Sequence, residues 1–420
     1  MKEDTPIIGF DAKRAVANGT GLGSYSRTLI NDLARYPLTL RLYAPDEGRD
    51  DLRTQIQDRA NVTLHTPHST LHIPHSTFHI PHSTFHIPHS TSLGKSLWRS
   101  HGIVSDLRRD GIQLYHGLSG ELPIGIRKSG IPSVVTIHDL IFLRHPEYYH
   151  WIDTKIYAWK FRQTISEATH IIAISECTRR DILHYAPELD PARISVIYQS
   201  CAPKFTLHTP HSSSPDISPS TFHIPPSTFH IPHSTFHIPP STKYILSVGT
   251  IEARKNILLA VKALETSQLP DDLHIVIIGR HTPYTDTVAR YARDHGLEAR
   301  VHILHHVGDA ELPAYYAAAE AFVYPSRYEG FGIPIIEAIS CGLPVVACTG
   351  SCLEEAGGPD TLYVSPDDPQ AMAAAIAQVL KGAPGRDQRI LRSREYIRRF
   401  QGNDVAGQVY RLYLRLLNKE

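Results

Sequence analysis

The sequence has little that would place it in a specialised class of protein. Its 420 residues carry 42 basic and 42 acidic side chains, so the formal net charge is zero and nothing indicates a general nucleic-acid binder. Only five residues are cysteine, and they are scattered without paired C-x2-C spacing. This argues against both a disulfide framework and a structural zinc site, and it is typical of reduced cytosolic thiols.

Long apolar runs are also missing. The stretch MKEDTPIIGFDAKRAV has no apolar segment of the signal-peptide kind, and no uninterrupted run approaches the roughly 20 residues that cross a bilayer. We therefore expect a soluble, cytoplasmic protein with no nucleic acid among its partners, while peripheral contact at the inner face of the membrane stays open. A chain of 420 residues predicts two domains, each with its own core.

The most conspicuous feature that is present is a histidine-rich repeat. A unit close to PHSTFHI recurs over 67–90 and again over 218–242. A proline at every seventh position excludes a helix, because each would cost about 3 kcal/mol in a helix interior. A regular strand is also disfavoured, since an odd period sends successive Phe side chains to opposite sides. The pattern predicts loosely ordered surface loops.

Metal binding is the alternative interpretation of the repeats. Fourteen of the 27 histidines lie between His65 and His237 in these two tracts, and neutral imidazole binds zinc, nickel or copper. No carboxylate or thiolate recurs with them to close a defined coordination shell. We therefore predict no metal site, and a histidine-rich metal-binding protein on a degenerate scaffold is kept as a competing hypothesis.

Outside the repeats, strand and helix patterns alternate in two successive blocks. This predicts an α/β protein built from two doubly wound, Rossmann-like domains, with a ligand crevice between them at the carboxyl ends of the strands. The predicted strands are 6–10, 38–44, 61–65, 112–118, 133–140, 170–175 and 194–199 in the first block, and 244–249, 273–279, 300–307, 321–326, 344–348 and 362–366 in the second.

The same pattern predicts the domain boundaries. An N-terminal domain spans 1–203 with the first repeat inserted at about 65–92, and a repeat-rich linker spans 204–242. A C-terminal domain spans 243–385. A helical segment over 386–420 crosses back to the first domain.

The stretch YPSRYEGFGIPIIEAISCGLPVVA (324–347) carries the strongest functional signal. A strand ends at Ser326, a Gly-Phe-Gly loop follows, and Pro334 suits a first helical turn. The helix ends at Gly342, which Pro344 follows. This arrangement predicts a strand, a glycine loop and a helix N-terminus, which together form a ready binding site for a phosphate.

Two carboxylates flank that predicted anion site. Glu329 lies just before the glycine loop and Glu337 lies in the first turns of the helix. Carboxylates accept hydrogen bonds from vicinal hydroxyls, such as those of a sugar or a ribose. The stretch therefore predicts a site for a sugar nucleotide.

Glu329 and Glu337, with seven residues between them inside PSxYEGFGxPxxEAxxxGxPVV, resemble the Glu-x7-Glu signature of retaining GT-B glycosyltransferases of family 4, the glycosyl transferases group 1. The resemblance favours the mannosyltransferase-like branch and covers most of the chain outside the repeats. Its other segments are GTGLGSYS (19–26), TIHDL (136–140), AISECTRRDI (173–182), VGTIEARKN (248–256) and GDAELPAYYAAAEAFVYPSRYEGFGIP (308–334).

The resemblance implies a donor site in the second domain. Arg254 and Lys255 match the basic pair that holds the donor diphosphate and stabilises the leaving group. Glu337 would bind the ribose hydroxyls, and Glu329 would lie near the donor sugar. The backbone amides of the glycine loop would take a phosphate or a sugar hydroxyl, through Gly330, Phe331 and Gly332.

In the first domain the resemblance implies two further features. His138, in TIHDL, matches the active-site histidine at the end of a strand. Gly21 and Gly23, in GTGLGSY, match an N-terminal glycine loop whose backbone can approach a phosphate at a helix start. The predicted catalytic residues are therefore His138, Arg254, Lys255 and Glu329.

The implied reaction transfers a sugar from a nucleoside-diphosphate sugar to a hydroxyl, with retention at the anomeric carbon. GDP-mannose is the favoured donor and a UDP-sugar is the alternative. A glycan or lipid-linked acceptor in surface polysaccharide biosynthesis is expected. No D-x-D motif occurs in the chain, so no metal cofactor is predicted. Another GT-B nucleotide-sugar enzyme, such as an epimerase or a phosphorylase, is the remaining alternative.

Overall fold

The computed structural model describes residues 5–67, 71–72, 86–87, 92–205 and 242–418. Contacts between residues divide the chain into two units. Unit 1 comprises Met1–Tyr198 together with Asp404–Glu420, and unit 2 comprises Gln199–Asn403. The prediction of loosely ordered loops and the competing hypothesis of metal binding by the histidine tracts fall almost entirely outside the described residues.

Unit 1 is built on a parallel sheet of seven strands. Its strands and the short pair in the first repeat are β1 (Ile7–Asp11), β2 (Thr39–Tyr43), β3 (Val62–His65), β4 (Leu71–His72), β5 (His86–Ile87), β6 (Leu114–Gly117), β7 (Ser133–Ile137), β8 (His170–Ala173) and β9 (Ile194–Val196). Its helices before unit 2 are α1 (Lys13–Ala17), α2 (Gly21–Leu33), α3 (Asp50–Arg53), α4 (Ser92–Leu97), α5 (Ile103–Arg109), α6 (Ile126–Ser129), α7 (Ile141–Arg144), α8 (Trp151–Glu167) and α9 (Glu176–Tyr185).

The order of strands in this sheet is β3-β2-β1-β6-β7-β8-β9, so the chain reverses its direction of travel between β1 and β6. Alternate residues of a strand face opposite sides, and both sides are buried. In β6, Leu114 joins the apolar cluster on one side of the sheet and Tyr115 joins the cluster on the other. The strands therefore read as apolar runs, which is why the sequence pattern predicts them.

Unit 2 repeats the architecture with six parallel strands in the order β12-β11-β10-β13-β14-β15. The strands are β10 (Lys243–Val248), β11 (Leu273–Ile278), β12 (Val301–Leu304), β13 (Ala321–Tyr324), β14 (Val345–Cys348) and β15 (Leu362–Val364). The helices are α10 (Ile257–Ala263), α11 (Pro283–Asp294), α12 (Leu312–Ala318), α13 (Ile333–Ser340), α14 (Leu353–Gly357), α15 (Pro369–Ala377) and α16 (Arg386–Ile397). The point of reversal here lies between β10 and β13.

The last helix of the chain, α17 (Val405–Leu416), belongs to unit 1. It begins at Asp404, whose side chain accepts a hydrogen bond from the Gly407 amide and so caps the helix. Tyr413 is fully buried in the unit 1 core, and its hydroxyl lies 2.5 Å from Nδ1 of His116. The final segment of the chain thus completes the core that its first strand begins.

All thirteen predicted strands are present, and the predicted α/β class is confirmed. One expectation needs a small correction, because β4 and β5 form a two-residue antiparallel pair inside the first repeat, where no strand was predicted. The seven-residue period prevents a strand with one continuous apolar face. A pair of two-residue strands does not need such a face. Among the described helices, none is both long and apolar enough to cross a membrane.

Candidate functional site

The predicted basic pair and Glu329 meet at the reversal point of the unit 2 sheet. Arg254 and Lys255 lie in a single 3-10 turn that follows β10, and Glu329 lies in the loop that follows the neighbouring strand β13. A backbone hydrogen bond of 2.9 Å, from Arg327 N–H to the Arg254 carbonyl, joins the two loops. Ligands of open α/β sheets bind at this position, outside the carboxyl ends of two strands that diverge.

Glu329 is buried, with only 9% of its surface exposed, and its carboxylate contacts three side chains. Lys255 Nζ donates to Oε1 over 2.5 Å, and the Ser326 hydroxyl donates to the same oxygen over 2.5 Å. Arg254 Nη1 lies 3.0 Å from Oε2. Two cations are therefore held by one carboxylate, although they lie more than 70 residues from it along the chain.

Burial alone would raise the pKa of Glu329. The charges of Lys255 and Arg254 outweigh that effect, and with the hydrogen bonds from Lys255 and Ser326 they lower the pKa to about 2. The carboxylate is thus ionised throughout the neutral range. Because Arg254 also donates to Glu252 over 2.6 Å and to the Tyr328 carbonyl over 2.5 Å, its guanidinium is fixed in orientation.

The glycine loop has the local geometry that the sequence predicts. Gly332 has φ 114°, in the region that favours glycine, and it stands at the N-cap of α13. An added Cβ would also lie 3.2 Å from side-chain atoms of Leu353 and Ala356, which are on α14. Pro334 occupies the first turn of α13, and Gly342 after the helix has φ 80°.

Gly330 and Phe331 lie in the same loop, beside a buried thiol. Cys352 Sγ approaches the carbonyl oxygens of Glu329 and Phe331, at 3.1 and 2.9 Å. The Phe331 ring is buried and packs edge-on against Phe400, with ring centres 5.2 Å apart. The loop is therefore anchored on both sides before any ligand binds.

Glu337 lies on α13 and contacts a different partner. Tyr316 donates its hydroxyl proton to Oε2 of Glu337 over 3.0 Å. Burial raises the pKa of Glu337 to about 7, and the Tyr316 hydrogen bond opposes that effect only in part. The two glutamates of the motif thus have opposite electrostatic environments: Glu329 is ionised, and Glu337 titrates near neutrality.

In unit 1, His138 directly follows β7, as the sequence predicts. Its Nε2 lies 2.9 Å from the Leu118 carbonyl, so that nitrogen carries the proton and donates. Burial lowers the pKa of His138 to about 4, which keeps the ring neutral at pH 7. The carbonyl of His138 accepts a hydrogen bond from Thr178 over 3.2 Å, and its ring packs edge-on against Tyr25 on α2.

Gly21 and Gly23 begin α2, but their surroundings differ. A Cβ added to Gly23 would lie 1.7 Å from the Asn18 carbonyl oxygen, so glycine is required there by contact with the chain itself. A Cβ added to Gly21 would meet no atom within 4 Å. Of the two, only Gly21 has open space that a ligand could use.

The side chains that hold the motif residues in place were not predicted. Tyr324 accepts a hydrogen bond from Lys255 over 2.7 Å, Ser326 donates to Glu329, and Tyr316 orients Glu337. Tyr324 and Ser326 lie at and just after the end of β13, a position that could have marked them. Tyr316 offers no such signal, because its helix reads as an ordinary apolar face.

Within the part of the chain that the structure describes, no group of three or more His, Cys, Asp or Glu side chains is placed to hold a metal ion. The cationic groups of the described site in unit 2 are Arg254 and Lys255. They are the residues that could carry the charge of a bound diphosphate.

Comparison with known proteins assigns a family over most of the chain. A glycosyltransferase family 4 profile matches residues 20–201, and a glycosyl transferases group 1 profile matches residues 233–396. An O-antigen chain mannosyltransferase of Escherichia coli is 27% identical over 302 residues, which cover 71% of this chain and 74% of the relative. Another, from Salmonella typhimurium, is 26% identical over 245 residues, 58% of this chain and 60% of the relative.

Solved structures support the fold. Sucrose-phosphate synthase from Thermosynechococcus elongatus aligns with a TM-score of 0.73 at 18% identity, covering 99% of this chain and all of the other. The Anabaena protein HepE, solved with UDP and glucose, aligns with a TM-score of 0.66 at 17% identity, covering 97% of this chain and 99% of the other. The two parallel sheets and both profiles identify the chain as a member of glycosyltransferase family 4, the group 1 retaining enzymes of the GT-B fold.

Proposed function

We propose that this glycosyltransferase moves mannose from GDP-mannose to a hydroxyl of a glycan or lipid-linked acceptor during the synthesis of a surface polysaccharide. The observation that carries the proposal is the Arg254–Lys255–Glu329 cluster beside the glycine loop. Both curated relatives described above are O-antigen mannosyltransferases, which favours mannose over other sugars. The choice of mannose and of guanine rests on that relationship, whereas the proposed position of the donor site rests on the cluster.

The chemistry that the cluster supports is stabilisation of a leaving diphosphate. As the bond from the anomeric carbon to the phosphate oxygen breaks, negative charge grows on the diphosphate, and fixed cations lower the energy of that state. Lys255 and Arg254 are both less than a fifth exposed, so water screens their charges little. No metal ion is needed in this scheme.

Glu329 holds both cations in position. Its carboxylate and that of Glu252 balance the charges of Arg254 and Lys255 in the structure. A donor diphosphate would therefore share these cations with carboxylates that are already present. Because the cluster is nearly neutral overall, it attracts the diphosphate of the intact donor only weakly. It stabilises more strongly the extra negative charge that develops on the diphosphate during transfer.

A surface of unit 1 supports peripheral contact with the inner face of the membrane. The first half of α8 exposes a group of large apolar side chains, Trp151, Ile152, Ile156, Tyr157 and Trp159, each at least 40% exposed. Lys155 and Arg162 are exposed on the same helix. Exposed tryptophan and tyrosine together with basic residues are typical of helices that lie at the surface of an anionic bilayer. We name these five apolar residues the α8 surface.

A screen of nucleotide sugars tests the proposed function. The intact protein is heated with GDP-mannose, GDP-fucose, UDP-glucose or UDP-galactose, and the unfolding midpoint is recorded. We expect GDP-mannose to raise the midpoint most, because ligands that bind only the folded state stabilise it. Mass analysis of reactions with one neutral and one acidic oligosaccharide acceptor should then show one added hexose on at least one of them. A larger shift with a UDP-sugar would overturn the proposed donor, and donor turnover without a glycosylated product would overturn the transfer.

A further inference from the structure

Unit 1 contains a pocket that none of the predicted site residues lines. Its volume is about 750 Å³, within the roughly 300–1,000 Å³ typical of small-molecule sites. Asp11, the last residue of β1, and Glu121, in the loop after β6, lie on its wall. These strands are the pair between which the chain order reverses, so the pocket occupies the position in this sheet where a doubly wound domain binds ligands.

A largely buried network of ion pairs forms part of the pocket wall. The guanidinium of Arg99, whose side chain is 15% exposed, donates to the carboxylates of Asp11 and Glu121. Lys160 Nζ lies 3.1 Å from the second oxygen of Glu121. Two cations therefore balance two carboxylates, so this part of the wall is close to neutral.

A second ion pair, between one lysine and one aspartate, also lies in the pocket wall. One further lysine, Lys13, then remains outside these ion pairs. Lys95 contacts Asp46 over 2.7 Å. Lys13 also lines the pocket, but it takes part in none of the ion pairs found among the described residues. Burial and the nearby Arg99 lower the pKa of Lys13, against the influence of Glu121 and Asp11. A partly buried ammonium in this situation is stabilised by an anionic ligand.

The pocket also contains a flat aromatic surface. Trp159 lines it, although the side chain is 56% exposed. Gln163, one turn further along α8, and Ser96 on α4 add an amide and a hydroxyl to the lining. An indole face can pack against the C–H groups on one side of a sugar ring, and amides and hydroxyls bind sugar hydroxyls. The lining therefore suits a saccharide better than an apolar ligand.

We propose that this pocket binds the acceptor through a sugar that carries an anionic group, a phosphate or a carboxylate. Lys13 pairs with the anionic group, and Trp159 packs against the sugar ring. The inference rests on the proposed function, because it treats the ligand of the pocket as the substrate that receives the transferred sugar. It goes beyond that function by stating the charge of the acceptor and the residues that recognise it.

Calorimetry on the intact protein tests the chemistry of the ligand, without any donor present. The probes are mannose 6-phosphate, glucuronic acid, neutral methyl α-mannoside and inorganic phosphate. We expect one of the two anionic sugars to bind at least about tenfold more tightly than both methyl α-mannoside and inorganic phosphate, and the better of the two identifies the anionic group. Equal affinity for the neutral sugar would overturn recognition of charge. Equal affinity for inorganic phosphate would overturn recognition of the sugar.

Variants test the residues. Lys13→Gln should remove the preference for the anionic sugar, a loss of about tenfold, or about 1.4 kcal/mol. Trp159→Ala should weaken all the sugars alike, and Trp159→Phe should restore part of that affinity. Lys128→Gln, which removes an exposed lysine of unit 1 outside the pocket, is the matched control and should bind as the unaltered protein does. A preference retained by folded Lys13→Gln protein would contradict the proposal.

The two proposals fail in different ways. Protein that shifts its unfolding midpoint with a nucleotide sugar but binds no anionic sugar would contradict the pocket proposal alone. Protein that binds the anionic sugar but no nucleotide sugar would contradict the proposed function. In that case the roles of Lys13 and Trp159 in binding would stand, but the bound sugar could no longer be regarded as the acceptor of a transferred sugar.

Discussion

The ammonium of Lys255 connects Glu329 and Tyr324 in the proposed donor site. It contacts the Glu329 carboxylate and the Tyr324 hydroxyl, and it lies 5.0 Å from the centre of the Tyr324 ring. Each contact restricts where the charge can be. A cation fixed in this way needs little reorganisation when charge develops on a bound diphosphate, which is the condition under which electrostatic stabilisation is most effective.

Removal of this cation gives the first prediction. Lys255→Ala should lower kcat for transfer by about 100-fold or more, because the lost charge acts mainly on the leaving group. Steady-state kinetics with the best donor from the screen would measure the change. Lys262→Ala is the control, because Lys262 contacts the Tyr291 ring outside the site and should change the rate little. Equal rates for Lys255→Ala and the control would contradict the role given to Lys255.

The second prediction concerns pH and Glu337. Its pKa of about 7 means that the group is protonated below that pH and ionised above it. Ribose hydroxyls donate more strongly to the ionised carboxylate, so nucleotide affinity should fall as the pH drops through about 7. Titration with GDP between about pH 6 and pH 8 would measure this. Glu337→Gln should bind more weakly at pH 8 and lose the pH dependence; a dependence that survives the substitution would assign it to another group.

Sequence reasoning predicted which residues the motif contains, but not which of them touch. Glu329 and Glu337 share one motif, yet Glu329 contacts cations from the loop after β10, and Glu337 contacts Tyr316 on α12. These partners come from separate segments, and the register that brings them together is set by strand pairing and helix packing. The difference between their pKa values follows from those partners, so one-dimensional spacing could not predict it.

At the scale of elements, the strands were predictable from the sequence, but which helix faces are buried and which are exposed was not. A buried parallel strand is a short apolar run, so all thirteen were recognisable. The α8 surface could not be predicted in this way, because apolar side chains such as Trp151, Ile156 and Trp159 normally indicate a buried helix face. Only the structure reveals that the first half of α8 is exposed while its second half packs against the sheet through Phe161 and Ile165.

The α8 surface gives the third prediction. A Trp151→Ser, Ile156→Ser variant should sediment at least about fivefold less with vesicles of three parts phosphatidylethanolamine to one part phosphatidylglycerol, because it loses two exposed apolar contacts. Leu391→Ser removes an equally exposed apolar residue from unit 2 and serves as the control. Donor-dependent unfolding shifts should show that both variants are folded. Sedimentation unchanged in the double variant would contradict membrane contact through α8.

At the scale of the whole molecule, the positions of the repeats are informative. The first follows β3, which is the edge strand of the unit 1 sheet, and ends just before α4. The second lies between Phe205 and β10. Phe205 is buried against Tyr316, with ring centres 5.5 Å apart, so both ends of the second repeat are attached to unit 2. Neither repeat interrupts a strand of the two large sheets.

Deletion of the repeats is the fourth prediction. Replacing 67–90 with a short Gly-Ser linker, or shortening 218–242 to one, should leave the donor-induced unfolding shift within about 1 °C of the original, because the candidate site residues and the contacts described for them lie outside these ranges. The linker must be long enough to join the flanking residues without strain. A folded deletion variant that no longer responds to the donor would show that a repeat contributes to the site.

The return of α17 to unit 1 fixes the order in which the protein can mature on the ribosome. Unit 1 lacks part of its core until Tyr413 has been synthesised, because that side chain packs with Phe10 and bonds to His116. Unit 2 ends at Asn403, so its segment is complete earlier. The unit whose synthesis begins first therefore completes its core last, because that core lacks Tyr413 until α17 has been synthesised.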